Sequence, residues 1–401
     1  MDKSTLPGTT PVAHAFPPWP VYAQDEIDAV VAVLQSGKVN YWTGQEGRRF
    51  EEEYAAAAGC RHAVALANGT NALELALVAL QVPPGSEVIT TPRTFIASAS
   101  AAVMRGCIPV LADVDPDSGN ITADTIARVI TPNTKAIIPV HLAGWPCDME
   151  PIMALADAHG LKVIEDCAQA NGATYKGRPV GRLGHAACFS FCQDKIITTG
   201  GEGGMLTTHD EAVWRRAWEF KDHGKSYEAV YHREHAPGFR WLHESFGTNW
   251  RMTDMQAAIG RLQLKKLPEW TRLRNAHMDQ LFNGLQHHAA LRIPRAADGF
   301  GHAAYKAYVY LRPERLKPGW TRDRIMIDIS SLGVPCQSGS CSEIYREKAF
   351  VDSGFGTREP LTVAAELGRT SLMFQIHPTL TKEDLVRTLE AANRILEEAT
   401  W

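Results

Sequence analysis

The regular pattern of apolar positions begins after about residue 20. Apolar residues then recur at the i, i+3, i+4, i+7 spacing of an amphipathic helix: Ile27, Val30, Val31 and Leu34. Gly37 stands where the C-cap of this helix is expected. Residues 1–20 are rich in Pro and Thr, which predicts an extended arm lying on another surface, such as a partner subunit.

From Ala63 onwards the pattern changes to short apolar runs separated by stretches of helical length. The runs are AVALA, EVITT, IPVLADV, AIIPVH, KVIED and ACFSF. Strands buried on both faces, with helical crossovers between them, are typical of a mostly parallel α/β sheet. We expect this sheet to occupy residues from about 60 to 210.

A second, smaller α+β domain is predicted for the last part of the chain. The segment MQAAIGRLQLKKLPEWTRLRNAHMDQLFNGL predicts one long helical stretch interrupted at Pro268. YKAYVYL is strand-like, and Thr381 and Asp384 have the spacing of a capping box at the start of the last helix. The resulting division is an arm over residues 1–20, a large domain over 21–260 and a small domain over 261–401.

Composition excludes several classes of partner. The 41 basic and 45 acidic residues give a net charge of -4, and no basic block interleaved with aromatics stands out, so neither nucleic acid nor membrane is an expected partner. Eight scattered cysteines predict reduced thiols, and Cys188 and Cys192 lack the further ligands of a zinc site. No metal is expected, and the absence of an apolar h-region or an 18-residue apolar run predicts a cytoplasmic protein.

One lysine has unusual surroundings. Lys195 lies in CFSFCQDKIITTGGEGGM, between the end of a predicted strand and a glycine-rich loop. The simplest interpretation is an exposed lysine in a turn. However, a lysine at the carboxyl edge of such a sheet can face the crevice where α/β proteins bind ligands, and the glycines allow the backbone to pass close to a ligand.

An acid stands in a similar position at the end of VIED. Asp166 could simply cap a loop or a helix. Yet a lysine and an aspartate at two strand ends are typical partners of pyridoxal phosphate, where the lysine forms a Schiff base and the acid holds the pyridinium nitrogen protonated. A phosphate could bind where NGTNALELAL starts a helix, at Gly69 and Thr70, with a hydroxyl from Ser190. Phe95 could cover the ring or could be a core aromatic.

Five segments together carry a resemblance to a known family. NGTNALELAL, TPRTFIASASA, VIEDCAQANGATYKGRPVGRLG, CFSFCQDKIITTGGEGGM and TNWRMTDMQAAIGRLQL occur in the order found in the DegT/DnrJ/EryC1/StrS family of sugar aminotransferases. The resemblance implies an aspartate-aminotransferase type fold (pyridoxal-phosphate fold type I) and a homodimer with active sites at the subunit interface. It also implies transfer of an amino group, usually from glutamate, to a keto group of a nucleotide-linked sugar.

The resemblance assigns roles position by position. It implies that Lys195 is the Schiff-base lysine and Asp166 the partner of the pyridine nitrogen. The other implied cofactor contacts are Gln169 near the ring hydroxyl, Phe95 stacked on the ring, Gly69, Thr70, Asn71 and Ser190 at the phosphate, and Asn249 reaching the phosphate from the neighbouring subunit. The chain differs from many members in FCQDK, where His or Pro often precedes the lysine, in a shorter PRTF segment and in an additional glycine in TTGGEGG.

Substrate contacts are less sharply indicated. His377 and Tyr345 are candidates for the sugar pocket, and Lys225 and Arg251 for a diphosphate, although each could be a packed or surface residue. The expected activity is transamination of a 3- or 4-keto hexose in amino-sugar or cell-surface polysaccharide biosynthesis. The alternatives are a pyridoxal-phosphate-dependent sugar dehydratase, whose family members carry histidine at the lysine position, and a regulatory protein without enzymatic activity.

Overall fold

The computed structural model describes residues 15–401, so residues 1–14 of the predicted arm lie outside the described residues. Over this range the strands are β1 (His62–Leu66), β2 (Glu87–Thr90), β3 (Ile108–Leu111), β4 (Thr134–Ile137), β5 (Lys162–Asp166), β6 (Thr174–Tyr175), β7 (Arg178–Pro179), β8 (Ala186–Ser190), β9 (Gly204–Thr208), β10 (Leu291–Arg292), β11 (Phe300–Gly301), β12 (Lys306–Leu311), β13 (Cys336–Gln337) and β14 (Ser371–Gln375). The helices are α1 (Gln24–Ser36), α2 (Glu46–Ala58), α3 (Gly69–Ala79), α4 (Ala97–Met104), α5 (Ala123–Ala127), α6 (Met149–His159), α7 (Glu211–Lys221), α8 (Tyr227–Tyr231), α9 (Asp254–Leu285), α10 (Arg322–Ser331), α11 (Lys348–Ser353), α12 (Thr362–Thr370) and α13 (Lys382–Ala399).

The large sheet has seven strands in the order β1-β9-β8-β5-β4-β2-β3. All neighbours from β8 to β3 run parallel, whereas β9 is antiparallel to both β8 and β1. The prediction of a mostly parallel α/β sheet is confirmed. The pattern did not predict β9, because GMLTT offers only two large apolar residues and follows the glycine-rich loop directly.

Both faces of this sheet are covered by helices. Val163 and Ile164 are adjacent on β5, yet they belong to apolar clusters on opposite faces. Helices α3, α4 and α7 pack on one face, and α2, α6 and part of α9 pack on the other. Double coverage explains why the strands are continuous apolar runs instead of alternating ones.

Helix α9 corrects one expectation. It continues through Pro268 over 32 residues, so the predicted interruption is wrong. A proline inside a helix removes one backbone hydrogen bond and crowds the preceding turn. Contacts with α1, α2 and α13 hold α9 along its length and offset this local cost.

The later part of the chain forms an antiparallel sheet in the order β10-β12-β14-β13. Helices α10 and α13 and the end of α9 pack against it. The capping box at Thr381 and Asp384 is confirmed. The predicted domain boundary after residue 260 falls inside α9 and stays a prediction. No helix in residues 15–401 is long and apolar enough to span a bilayer.

Helix α1 forms as predicted and ends at Gly37, whose φ is 67°. Its apolar positions are nevertheless largely exposed: Ile27 by 46%, Val31 by 43% and Leu34 by 54%. Helix α1 packs against α9, and its buried side chains are Glu26 and Val33. An apolar stripe therefore remains on the surface of the single chain.

Candidate active site

A cavity of 490 Å³ lies at the carboxyl ends of β1, β2, β5 and β8. This is the edge at which open α/β sheets bind ligands. The cavity brings together eight of the residues predicted from the sequence: Gly69, Thr70, Asn71, Phe95, Asp166, Gln169, Ser190 and Lys195. A second cavity, of 320 Å³, lies beside α9 and β12 and is lined by none of the predicted site residues.

Asp166, the last residue of β5, is the buried acid of the cavity. Its side chain accepts hydrogen bonds from the Ser98 hydroxyl at 2.7 Å and from the Ala168 N–H at 3.1 Å. Burial raises the pKa of the Asp166 carboxyl, while the hydrogen bonds from Ser98 and Ala168 and the charge of Lys195 oppose the rise. A cationic ring nitrogen in the cavity would favour the carboxylate in the same way.

The side chain of Lys195 enters the cavity from the loop after β8 and is 17% exposed. Its Nζ lies 3.1 Å from Asp194 Oδ1 and 3.2 Å from the Tyr305 hydroxyl. The interpretation of Lys195 as a freely solvated turn lysine is therefore wrong. Its backbone carbonyl accepts a hydrogen bond of 2.9 Å from Trp19 Nε1, which fixes the loop from the other side.

The start of α3 lies at one end of the cavity. Asn68 caps the helix by accepting the Asn71 N–H at 2.8 Å. The first N–H groups of a helix have no intrahelical acceptor, and the helix dipole favours an anion there. A Cβ on Gly69 would lie 2.7 Å from Ser190 Cβ, so the absence of a side chain lets α3 approach β8 closely.

Gln169 and Phe95 complete the cavity. Gln169 Oε1 accepts the Ala143 N–H at 2.8 Å, which orients the amide beside Asp166. Phe95 is 70% exposed, so the alternative interpretation as a core aromatic is wrong. An exposed aromatic ring at the edge of a cavity is available to cover a planar ligand.

Asn249 and the two basic candidates lie outside this cavity. Lys225 Nζ and Arg251 Nη1 both contact Oδ1 of the buried Asp222, at 3.0 and 2.7 Å. Asn249 is exposed and forms a backbone bridge with Asp222. The three residues therefore form one group on the surface, separate from the cavity of their own chain.

Tyr345 and His377 also lie outside the cavity in the described part of the chain. The Tyr345 hydroxyl donates to Glu343 Oε1. The ring of His377 stacks on Trp19, and burial together with nearby Arg274 lowers its pKa to about 4. Both side chains are thus engaged in packing contacts.

Sequence reasoning missed four residues that support the predicted ones. Ser98 bonds to Asp166, Asp194 and Tyr305 contact Lys195, and Trp19 contacts the backbone of Lys195. Asp194 could have been found as an acid adjacent to the lysine. Tyr305 and Trp19 are 110 and 176 residues away along the chain, and no local pattern links them to it.

A buried cluster of His141, Glu165 and Cys167 has ligand atoms close enough to suit a metal ion. The side-chain polar atoms of His141 and Glu165 already have protein partners. His141 Nδ1 accepts the Cys147 N–H, so Nε2 carries the proton and donates to Glu165 at 3.1 Å. Glu165 also accepts three backbone N–H groups, from Gly181, Leu183 and Gly184. His141 and Glu165 therefore form a buried hydrogen-bond network next to Asp166.

The sheet and cavity define the class of the protein. A mostly parallel sheet with a lysine, a buried aspartate and a helix N-terminus around one cavity is an enzyme fold of the aspartate-aminotransferase type, which takes pyridoxal phosphate. The residues fit this cofactor, because the cavity offers an anion site at one end, a buried carboxylate at another and a lysine amine between them.

The chain belongs to the DegT/DnrJ/EryC1/StrS aminotransferase family, whose model matches residues 20–392. It is 37% identical over 366 residues to the GDP-perosamine synthase of Caulobacter vibrioides, covering 88% of this chain and 92% of the relative. It is 36% identical over 357 residues to the UDP-N-acetyl-3-dehydro-alpha-D-glucosamine 3-aminotransferase of Acidithiobacillus ferrooxidans, covering 88% and 89%. The crystal structure of an aminotransferase from Psychrobacter cryohalolentis superimposes with a TM-score of 0.94 at 56% identity, covering 96% of this chain and 99% of that one.

Proposed function

We propose that this aminotransferase moves an amino group from glutamate to the keto group of a nucleotide-linked sugar, a 3- or 4-keto hexose, in amino-sugar or cell-surface polysaccharide biosynthesis. The observation that carries the proposal is the meeting of Lys195 and Asp166 with the N-terminus of α3 in one cavity. The two curated relatives named above support the sugar substrate, since one is named for GDP-perosamine and the other for a UDP-linked 3-dehydro sugar.

Each cavity residue has a proposed role. Asp166 faces the pyridine nitrogen, Gln169 the ring hydroxyl and Phe95 the ring face. Gly69, Thr70, Asn71 and Ser190 hold the phosphate at the start of α3. Pyridoxal phosphate, when bound, supplies an electron sink for the carbanion left when a proton leaves the substrate carbon.

Lys195 has two proposed tasks. It would hold the cofactor through its amine, and when that amine is free its Nζ would move a proton at the substrate carbon. Lys195 Nζ contacts Asp194 and the Tyr305 hydroxyl in this chain. A lysine at this position favours transamination over dehydration, because the dehydratases of the family carry histidine there.

An absorbance spectrum of the purified protein, before and after glutamate, tests the proposal. We expect a band at about 410 nm that moves towards about 330 nm with glutamate in the wild type and in Lys348→Ala, an exposed control. Lys195→Ala should lack this response. If no band appears after incubation with pyridoxal phosphate, the proposed enzymatic function is contradicted. A band without amino transfer to any keto sugar would favour the dehydratase alternative.

We also propose a homodimer in which the surface group of Asn249, Lys225 and Arg251 faces the cavity of the partner subunit. The support is that Asn249 is exposed on its own chain and that the preceding segment carries three strongly exposed aromatics, Phe239, Trp241 and Phe246. In this arrangement Lys225 and Arg251 would meet the diphosphate of the sugar nucleotide. Tyr345 and His377 remain candidates for the sugar pocket.

Mixing two inactive variants tests the shared site. Lys195→Ala lacks the lysine and Asn249→Ala lacks the residue offered across the interface, so a mixed dimer contains one intact site. Activity that appears only after subunits are exchanged, together with a dimeric mass in solution, is the expected result. A monomeric mass, or no recovery of activity despite proven mixed dimers, would contradict the shared site.

A cytoplasmic location is part of the same proposal. It fits the eight cysteines, all of which are unpaired, since reduced thiols are typical of a reducing compartment. Cell fractionation checks it, and recovery of the protein in an oxidising compartment would overturn it.

A further inference from the structure

The amino group of Lys195 contacts two side chains for which the family resemblance implies no role. Its Nζ is 3.1 Å from Asp194 Oδ1 and 3.2 Å from the Tyr305 hydroxyl, and this hydroxyl also donates to Asp194 Oδ2. The three groups therefore close a triangle of polar contacts. Asp194 comes from the loop that carries the lysine, whereas Tyr305 precedes β12 and is itself 5% exposed.

The charge states within this triangle are well defined. Burial opposes ionisation of Asp194, but Lys195 and the Tyr305 hydroxyl lower the pKa of its carboxyl below the ordinary value. Burial and the charge of Asp194 raise the pKa of Tyr305 well above its ordinary value. At neutral pH Asp194 is thus a carboxylate and Tyr305 a neutral hydroxyl, so Tyr305 can donate to the acid while both accept from an ammonium group.

Other charged groups surround the triangle from each packed element. Lys306, on β12, has its Nζ 5.0 Å from the ring centroid of Tyr305 and further lowers the pKa of Asp194. Arg274, on α9, is buried and acts electrostatically on Tyr305. Asp166 and Glu202 are further acids of the cavity, and within residues 15–401 Asp194 is the acid that contacts Lys195 Nζ.

We propose that Asp194 and Tyr305 are positioning residues for Lys195, holding its amino group at the cavity wall whenever the lysine is not joined to the cofactor. The proposal rests on the role of Lys195 in the proposed function. In a full transamination cycle the lysine would be released from the cofactor in the half-reaction with the amino donor and would return only in the half-reaction with the keto sugar. A free lysine side chain loses rotamer entropy when it is fixed, and two polar contacts offset this loss before the return step.

The chemical reactivity of Lys195 in the cofactor-free protein tests the contact without relying on turnover. A series of pulses of an amine-acylating reagent at pH 7, followed by peptide mass spectrometry, gives the labelling profile of Lys195 against time. Asp194→Asn removes the charged contact that holds the amine, so Lys195 should be labelled about threefold faster, the size expected of a partly exposed ion pair. Tyr305→Phe keeps the carboxylate and removes only the hydroxyl contact, so it should produce a smaller increase in rate.

Glu202→Gln is the matched control, because it neutralises another carboxylate of the same cavity that does not contact the amine. Its Lys195 profile should stay close to that of the wild type. The Asp194 side chain is 61% exposed, so Asp194→Asn should fold normally, and an unchanged melting temperature would establish this. A Lys195 profile in Asp194→Asn that superimposes on the wild-type profile would overturn the proposal.

The loaded enzyme separates this inference from the proposed function. With pyridoxal phosphate bound, Asp194→Asn should lower kcat with glutamate as the donor about tenfold, with little change in KM. This is less than the roughly 100-fold or larger loss expected when a general acid or base itself is removed. A wild-type protein that transaminates while kcat and the labelling profile of Asp194→Asn are unchanged rejects the positioning role alone. A shifted labelling profile in a protein that never transaminates rejects the proposed function and retains the contact.

Discussion

Asp166 is an ionisable side chain whose burial lowers the stability of the cofactor-free protein. Its carboxyl is 4% exposed, and burial raises its pKa even though Ser98 and Ala168 donate hydrogen bonds to it. In the folded cofactor-free protein the proton is therefore bound more tightly than in the unfolded chain. Stability falls as the pH rises from the unfolded pKa through the folded pKa, because ionising the group costs more in the folded state.

Asp166→Asn removes this part of the pH dependence. Without cofactor, we expect the melting temperature of the variant to increase relative to that of the wild type as the pH is raised from about 4 to 7. The reason is that the asparagine is never ionised. Differential scanning fluorimetry at a series of pH values measures it. A constant difference between the two proteins across this range would contradict the buried, ionisable state of Asp166.

Prediction from the sequence found the residues whose reactive side chains lie at the end of a predicted strand. Lys195 and Asp166 are recognisable because each unusual residue follows a buried run of a parallel sheet, and strand ends of such a sheet share one edge. The sequence did not predict the position of Tyr305, because this residue comes near Lys195 only when the later part of the chain packs against the large sheet. The positions of Lys225 and Arg251 also escaped it, because both pair with Asp222, and burial of that acid is not visible in the sequence.

At the level of elements, the site depends on how closely α3 approaches the sheet. Besides Gly69, Gly204 at the start of β9 leaves room for α3, since a Cβ there would lie 2.3 Å from the Asn68 carbonyl oxygen. The strand that the apolar pattern failed to predict is therefore one against which α3 packs closely. Pattern reasoning predicted α3 but could not predict this approach, which is a property of two elements together.

Gly69→Ala should weaken cofactor binding while the fold persists. The new Cβ would be forced against Ser190, and strain of about 1–3 kcal/mol corresponds to a loss of roughly 5- to 150-fold in affinity for pyridoxal phosphate if it is relieved by moving the helix. Spectrophotometric titration of the cofactor-free protein measures it. Gly356→Ala is the control, since a Cβ there meets no atom within 4 Å, and equal affinities of the two variants would reject the close approach.

At the level of the whole molecule, two imidazoles contribute to the response to acid: His377, which is buried, and His302, which is partly buried. Desolvation lowers the pKa of both to about 4, His377 with help from Arg274. The unfolded chain binds more protons than the folded one between about pH 4 and 6.5, so the stability from these groups is complete above this window and declines as the pH falls through it.

The double variant His302→Gln, His377→Gln should flatten the acid limb of the stability curve. Each imidazole contributes at most about 3 kcal/mol to the loss by pH 4. Chemical denaturation at pH 7, 5.5 and 4.5 measures the slope, with exposed His287→Gln as the control. If the wild type and the double variant lose stability in parallel as the pH falls, the lowered pKa of the two histidines is contradicted.

The bond from Trp19 to the backbone of Lys195 has a practical consequence. The indole also packs against Trp270, Arg274 and His377, so the beginning of the chain is tied to the loop that carries the reactive amine. Shortening the chain past Trp19 would remove this support from the loop. Truncated versions of the enzyme should therefore keep Trp19, and the colour of the bound vitamin is a quick check that the loop has kept its shape.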